Sequence, residues 1–283
     1  MSTLRLDANF SHSHDVQTDP PKVLEILCTP FIQYMHLITK IKTLEEFTFH
    51  NPTKANDMPE INALLTLLVN NPLLKKVVIL SPSVAMPVVT WPLNVSIKLP
   101  RLKYLSLKLN GWKEAKYMIS RIPIMIPEME GIEVKIYCDK SSMGLDEVFE
   151  SVGGFASSLT SMTMNYPGSA ITWSGKKGGR LSLSRVSDKD MCSALTGRCK
   201  YLSCKNIENL ELMFGSSSPE LEPTASLFPA IQTVTAYRWA HQYIDPSEGL
   251  RKFLQSVGMV TEERGEYAPT DKRVIWRKLS VQE

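Results

Sequence analysis

The chain has 283 residues, 43% of them hydrophobic and 22% charged, with a formal net charge of +3. That balance belongs to a folded chain with a sizeable core and excludes a disordered one. Basic residues come in short pairs such as Lys75–Lys76 and Lys176–Lys177, which excludes the basic stripe of a dedicated nucleic-acid binder.

The amino terminus, MSTLRLDANFSHSHD, lacks the basic-then-apolar layout of a secretory signal. No uncharged apolar run approaches the roughly 18 residues of a membrane helix. A cytoplasmic or nuclear location without a membrane partner is expected. Met1, Leu4 and Leu6 suit a first strand. Val23, Leu24, Leu27, Phe31, Met35 and Ile38 recur at three- and four-residue steps, which predicts an amphipathic helix over residues 22–41, kinked at Pro30.

Leu44, Phe47 and Phe49 then give the spacing L-x-x-L-x-L in LEEFTFHN. NDMPEINALLTLLVNNP predicts a helix capped by Asn56 or Asp57, with Pro59 in its first turn and Asn70–Asn71–Pro72 stopping it. Leu74, Val77 and Ile79 form the next strand. A Pro-rich irregular stretch leads to LPRLKYLSLKLNG, where Leu102, Leu105, Leu107 and Asn110 fit L-x-x-L-x-L-x-x-N. This is the strand-and-turn half of a leucine-rich repeat.

Residues 113–121 read as a helix, and Met129, Ile132 and Val134 as a strand running through Ile136. LDEVFESVGGF is again helical, with Gly153–Gly154 as its terminator. Leu159, Met162 and Met164 follow as a strand. AITW and RLSLS flank the turn-rich SGKKGG, a β-hairpin near residues 168–186. The glycines and lysines there lack the spacing of a phosphate-binding P-loop. Asp188 is predicted to cap a helix reaching Lys200. The spacing returns at Ile207, Leu210 and Leu212 and at Ile231, Val234 and Ala236. Residues 246–257 form a last helix closed by Gly258, followed by a polar loop and one charged terminal strand, RVIWRKL.

The seven openings at Leu44, Leu74, Leu102, Met129, Leu159, Ile207 and Ile231 lie roughly 24 to 30 residues apart, with one double-length gap at the hairpin. Each unit leaves an apolar face that only its neighbours can cover. The expected fold is therefore α/β: a leucine-rich-repeat-like solenoid, or horseshoe, with parallel strands on the concave face and helices or irregular segments on the convex face. An ordinary α/β sandwich is the rival. The expected organisation is an N-terminal strand and helical cap over 1–43, the repeats over 44–258, and a C-terminal loop and capping strand over 259–283.

LEEFTFHN, LKKVVILSP, LPRLKYLSLKLNG, SLTSMTMN, GGRLSLS and IENLELMF resemble the repeat region of fungal F-box/leucine-rich-repeat-like proteins, from about residue 40 to 258. Only Asn110 supplies the turn asparagine; other units place Pro, Tyr or Gly there. The resemblance implies substrate recognition by the repeats, with an F-box docking onto a ubiquitin-ligase adaptor. No L-P-x-E-(I/L) run opens an F-box helix bundle near Met1. The expectation is a shortened relative, or one that has lost the ligase connection and serves as a plain interaction scaffold. A ligase adaptor would be a partner only where an F-box is supplied elsewhere.

No enzyme is expected. His36, His50 and His241 stand in no catalytic motif, and no G-x-S-x-G elbow occurs. Cys28, Cys138, Cys192, Cys199 and Cys204 are odd in number and form no C-x-x-C pair, so neither disulfides, a metal nor a cofactor is expected. The expected function is non-enzymatic protein binding on the concave face. Outward strand positions there include Glu46, Thr48, His50, Ser106, Thr163, Asn209, Glu211 and Thr233, with Tyr104, Lys108, Lys135, Tyr137 and Tyr237 as the candidate binding residues. Tyrosine gives interface area at low entropic cost, and the lysines favour an acidic partner segment.

Overall fold

In the computed structural model, every strand-opening apolar residue that is described lies in the core. Leu44, Leu74, Leu102, Leu159, Ile207 and Ile231 are at most 2% exposed. The structure describes residues 2–6, 20–27, 40–50, 61–80, 97–109, 112–122, 133–138, 145–152, 159–165, 170–176, 178–184, 186–200, 202–214, 222–239, 246–268 and 271–278. Met129, Ile132, Asn110, the caps at Asn56, Asp57 and Pro59, and the terminator Gly153–Gly154 lie outside them. The class is α/β, with thirteen strands and five α-helices among the described residues and mostly parallel strand pairing. The chain divides into two compact units, Met1–Ile124 with Ile132–Ser141, and Met125–Gly131 with Ser142–Glu283.

The first unit holds β1 (Thr3–Leu6), β2 (Val23–Leu27), β3 (Glu46–His50), α1 (Ile61–Asn70), β4 (Lys76–Leu80), β5 (Tyr104–Leu109), α2 (Trp112–Ile119) and β6 (Glu133–Cys138). Its six strands lie in sequence order and all pair in parallel. Their inward residues stack in register. Leu24, Phe47, Val77, Leu105 and Val134 form one buried row, and Ile26, Phe49, Ile79, Leu107 and Ile136 the next. Helix α1 buries Ile61, Leu64, Leu65, Leu67 and Leu68, an apolar stripe at helical spacing.

The predicted helix over 22–41 is corrected at its start: Val23–Leu27 is strand β2. Its inward residues are Leu24 and Ile26, but Val23 and Leu27 on the other face are apolar as well. That run hides the period of two and mimics helical spacing. Residues 28–39 lie outside the described residues.

The strands of this unit are joined at their starts by a recurring backbone device. The carbonyl of Ser2 accepts from the amides of Lys22 and Val23, that of Lys22 from Glu45 and Glu46, that of Glu45 from Lys75 and Lys76, and that of Lys75 from Lys103 and Tyr104, all within 2.7–3.3 Å. In the second unit the Glu208 carbonyl accepts from Gln232 and Thr233 in the same way.

A second repeated device is a turn whose first residue is buried three positions before the opening leucine. Leu74, Leu102, Ile207 and Ile231 donate to the carbonyls of Asn71, Leu99, Cys204 and Phe228 at 3.1–3.2 Å. Asn71 is the one buried polar residue among the described residues. Its Oδ1 accepts from the Leu44 amide at 3.0 Å, and its Nδ2 donates to the carbonyls of Ile41 and Leu67 at 2.9 Å each. The residue expected only to stop a helix thus ties that helix to the preceding strand opening.

The second unit holds α3 (Leu145–Val152), β7 (Leu159–Asn165), β8 (Ala170–Gly175), β9 (Arg180–Ser184), α4 (Asp188–Thr196), β10 (Asn209–Phe214), a 3-10 turn (Ala225–Leu227), β11 (Thr233–Trp239), α5 (Glu248–Ser256), β12 (Met259–Ala268) and β13 (Asp271–Lys278). Its strands run in the order β9-β8-β7-β10-β11-β13-β12. Strands β7, β10 and β11 are parallel, whereas β9-β8-β7 and β11-β13-β12 are antiparallel. Trp173 and Phe149 pack edge to face at 5.1 Å, as do Phe228 and Phe253 at 5.8 Å, an arrangement the ring quadrupoles favour.

Two local expectations change in this unit. Helix α4 is capped by Ser187, whose hydroxyl accepts from the Asp190 amide, and not by Asp188. The helix ends at Gly197, φ +73°, short of Lys200. The charged terminal strand, β13, pairs on both sides, with β11 and with β12. Residues 259–268, expected as a polar loop, form β12 and pair outside β13. Their charged side chains at Glu262, Glu263 and Arg264 are exposed, which suits an unpaired edge and conceals strand alternation.

Candidate interaction surface

Strand alternation builds the surface of the first unit. In β5, Leu105, Leu107 and Leu109 are buried, so Tyr104, Ser106 and Lys108 face outward. In β6, Val134 and Ile136 are buried, and Glu133, Lys135 and Tyr137 face outward. Parallel register sets Tyr104 beside Glu133, Ser106 beside Lys135 and Lys108 beside Tyr137. The Lys108 ammonium lies 5.0 Å from the Tyr137 ring centre, and the Lys135 ammonium 5.3 Å from that of Tyr104. Four of the five expected binding residues therefore form one contiguous patch, interlocked by cation–ring contacts.

The same register extends across the sheet as three outward rows. At the strand starts lie Thr3, Val23, Glu46, Lys76, Tyr104 and Glu133; in the middle lie Arg5, Glu25, Thr48, Val78, Ser106 and Lys135. At the strand ends lie Leu27, His50, Leu80, Lys108 and Tyr137. The lysines of the first two rows each pair with a carboxylate. Lys76 reaches Glu46 at 3.5 Å and Lys135 reaches Glu133 at 3.1 Å. The Glu133 carboxylate raises the Lys135 ammonium above its ordinary pKa, against a smaller opposing effect of partial burial. Just before β3, Glu45 bridges Lys75 and Lys22, whose hydrogen bonds hold its carboxyl below the usual range. The strand-end row contains no carboxylate.

Tyr237 departs from the expectation. It is 6% exposed and belongs to the second unit, where Arg273 of β13 lies over its ring at 4.8 Å. Alternation alone gives its side of the strand. The antiparallel pairing of β11 with β13 places Arg273 opposite and covers it.

The outward face of the second unit is rich in hydroxyls. A shallow concavity of about 350 Å³ is lined there by Ser161, Thr163, Ser174, Asn209, Glu211, Thr233, Thr235, Arg273 and Ile275, among others. Five of these side chains contact one another. Thr163 donates to Glu211 at 3.1 Å, Asn209 donates to Ser161 at 3.3 Å, and Arg273 stands 4.0 Å from the Glu211 carboxylate.

Among the described residues no group of three or more His, Cys, Asp or Glu is placed to hold a metal ion. No helix among them is long and apolar enough to cross a membrane. Cys199 and Cys204 are buried thiols. Burial pushes Cys204 up to about 12, so it is protonated and a poor nucleophile at neutral pH. His36, His241 and Cys28 lie outside the described residues. Sequence reading missed Leu27 and Leu80 in the strand-end row, the first through the helix misassignment. Leu80 was recoverable, because it continues the outward alternation after Lys76 and Val78. Neither protein-family models nor curated protein sequences give a match to this chain.

Proposed function

We propose that this chain is a non-enzymatic protein-binding scaffold, a leucine-rich-repeat-like solenoid of the cytoplasm or nucleus whose outward strand face recognises a protein. On this reading it is a substrate-recognition or adaptor module of the kind found in F-box/leucine-rich-repeat proteins of ubiquitin ligases. The observation that carries the reading is the contiguous Tyr104–Lys135 and Lys108–Tyr137 patch. Its aromatic rings and aliphatic lysine stems offer contact area, and its charges offer orientation. The strand-start hydrogen bonds and in-register core rows support the stacked-repeat architecture, because each repeat covers its neighbour's apolar edge.

The test is affinity capture with the unaltered chain and with Tyr104→Ala/Tyr137→Ala, followed by mass spectrometry. A specific protein captured by the first and lost by the second, at unchanged melting temperature, is the expected result. Retention of every captured protein by the double variant overturns the patch. Co-capture of a ligase adaptor supports the recognition-module reading; capture of the partner without one favours an interaction scaffold with no ligase link.

A further inference from the structure

The strand-end row differs from the two rows beside it in having cationic character without acids. Crossing from β2 to β6 it reads Leu27, His50, Leu80, Lys108, Tyr137: apolar, imidazole, apolar, ammonium, phenol. All five side chains are partly or fully exposed. The lysines of the other rows have carboxylates, Lys76 at Glu46 and Lys135 at Glu133. Lys108 instead rests on the Tyr137 ring, with no carboxylate partner among the described residues. A cation lying on an aromatic face keeps donors free for an anion and is held at low entropic cost.

Neighbouring strands lie about 4.8 Å apart, so His50 and Lys108, two strands apart, are separated by about 9.6 Å, with Leu80 between them. A polyproline-II segment rises about 3.1 Å per residue with three residues per turn, so every third side chain returns to the same face after about 9.3 Å. We propose that this row binds an extended segment of a partner protein in which an acidic residue recurs at every third position beside an apolar one. The carboxylates meet His50 and Lys108, and the apolar side chains meet Leu27, Leu80 and the Tyr137 ring. The inference rests on the protein-binding reading above and gives that partner its chemistry.

The probe is a fluorescein-labelled peptide of four Asp-Leu-Pro repeats, followed by anisotropy at low ionic strength. Control peptides carry Lys-Leu-Pro or Asp-Ser-Pro repeats, and a short single-stranded RNA tests a nucleic-acid surface. Saturable binding of the Asp-Leu-Pro peptide is expected, weakened by about tenfold or more in Lys108→Glu. Lys108→Gln gives a smaller loss and serves should the charge reversal disturb folding. Lys76→Glu, in the row whose charges are already paired, changes affinity by less than about twofold.

Equal weakening by Lys76→Glu, equal affinity for the Asp-Ser-Pro peptide, or tighter binding of the RNA each overturns the proposal. The two readings fail separately. Absence of peptide binding, with partner capture still lost in Tyr104→Ala/Tyr137→Ala, removes the strand-end inference alone. Capture indifferent to the tyrosines removes the scaffold reading.

Discussion

The two units follow one rule inside and different rules outside. Inward, both stack apolar residues in parallel register, Leu105 beside Val77 and Val134 in the first and Leu210 beside Met162 and Val234 in the second. Outward, the second unit joins Thr163, Glu211 and Arg273 in mutual contacts and covers Tyr237. The first unit leaves a row of strand ends with a lysine, a histidine and no acid. A polar side chain already satisfied by its neighbours gains little from a ligand. The core that builds the face is shared, while the side chains arranged on the face are not.

The largest effects are expected where the units agree. Leu105→Ala and Leu210→Ala each remove a fully buried leucine and should cost about 2–5 kcal/mol in urea denaturation. A loss below about 0.5 kcal/mol at either site breaks the shared register.

Next comes the corner turn, where the units diverge. Asn71→Ala strands the Leu44 amide and the carbonyls of Ile41 and Leu67, a loss of about 2–4 kcal/mol. Cys204→Ala, at the matching turn of the second unit, removes one buried sulfur and should cost about 1 kcal/mol. Equal costs would show that the amide's bonds contribute nothing beyond filled volume.

The smallest effect separates strain from collision within the second unit. Gly197 and Gly258 both have positive φ, but a Cβ at Gly197 would lie 2.8 Å from Leu227 while one at Gly258 meets nothing within 4 Å. Gly258→Ala should cost about 1 kcal/mol from backbone strain alone. Gly197→Ala should exceed it by up to about 1 kcal/mol as Leu227 shifts, a difference thermal melts of the two variants would resolve.

Much of the fold was legible because its signal is local. The L-x-x-L-x-L spacing requires only that residues two apart share a face, and Leu105, Leu107, Leu210 and Leu212 are buried accordingly. The same alternation places Tyr104, Lys108, Lys135 and Tyr137 together. What escaped depends on distant partners. Apolar side chains on both faces of β2 erased its period of two, and the charges of β12 did the same from the polar side. Asn71 bonds to residues 27 and 30 positions away, and a local reading ends its role at the helix. Tyr237 lies on the expected strand, but only the β11–β13 register reveals the arginine above it.

The most direct test of the account sets the two faces against each other in one capture experiment. The unaltered chain, Tyr104→Ala/Tyr137→Ala in the first unit and Thr163→Ala/Thr235→Ala in the second are compared at matched melting temperatures. On the proposed reading, a captured protein disappears from the tyrosine variant and stays with the threonine variant. Loss from the threonine variant alone, or retention by both, would contradict it.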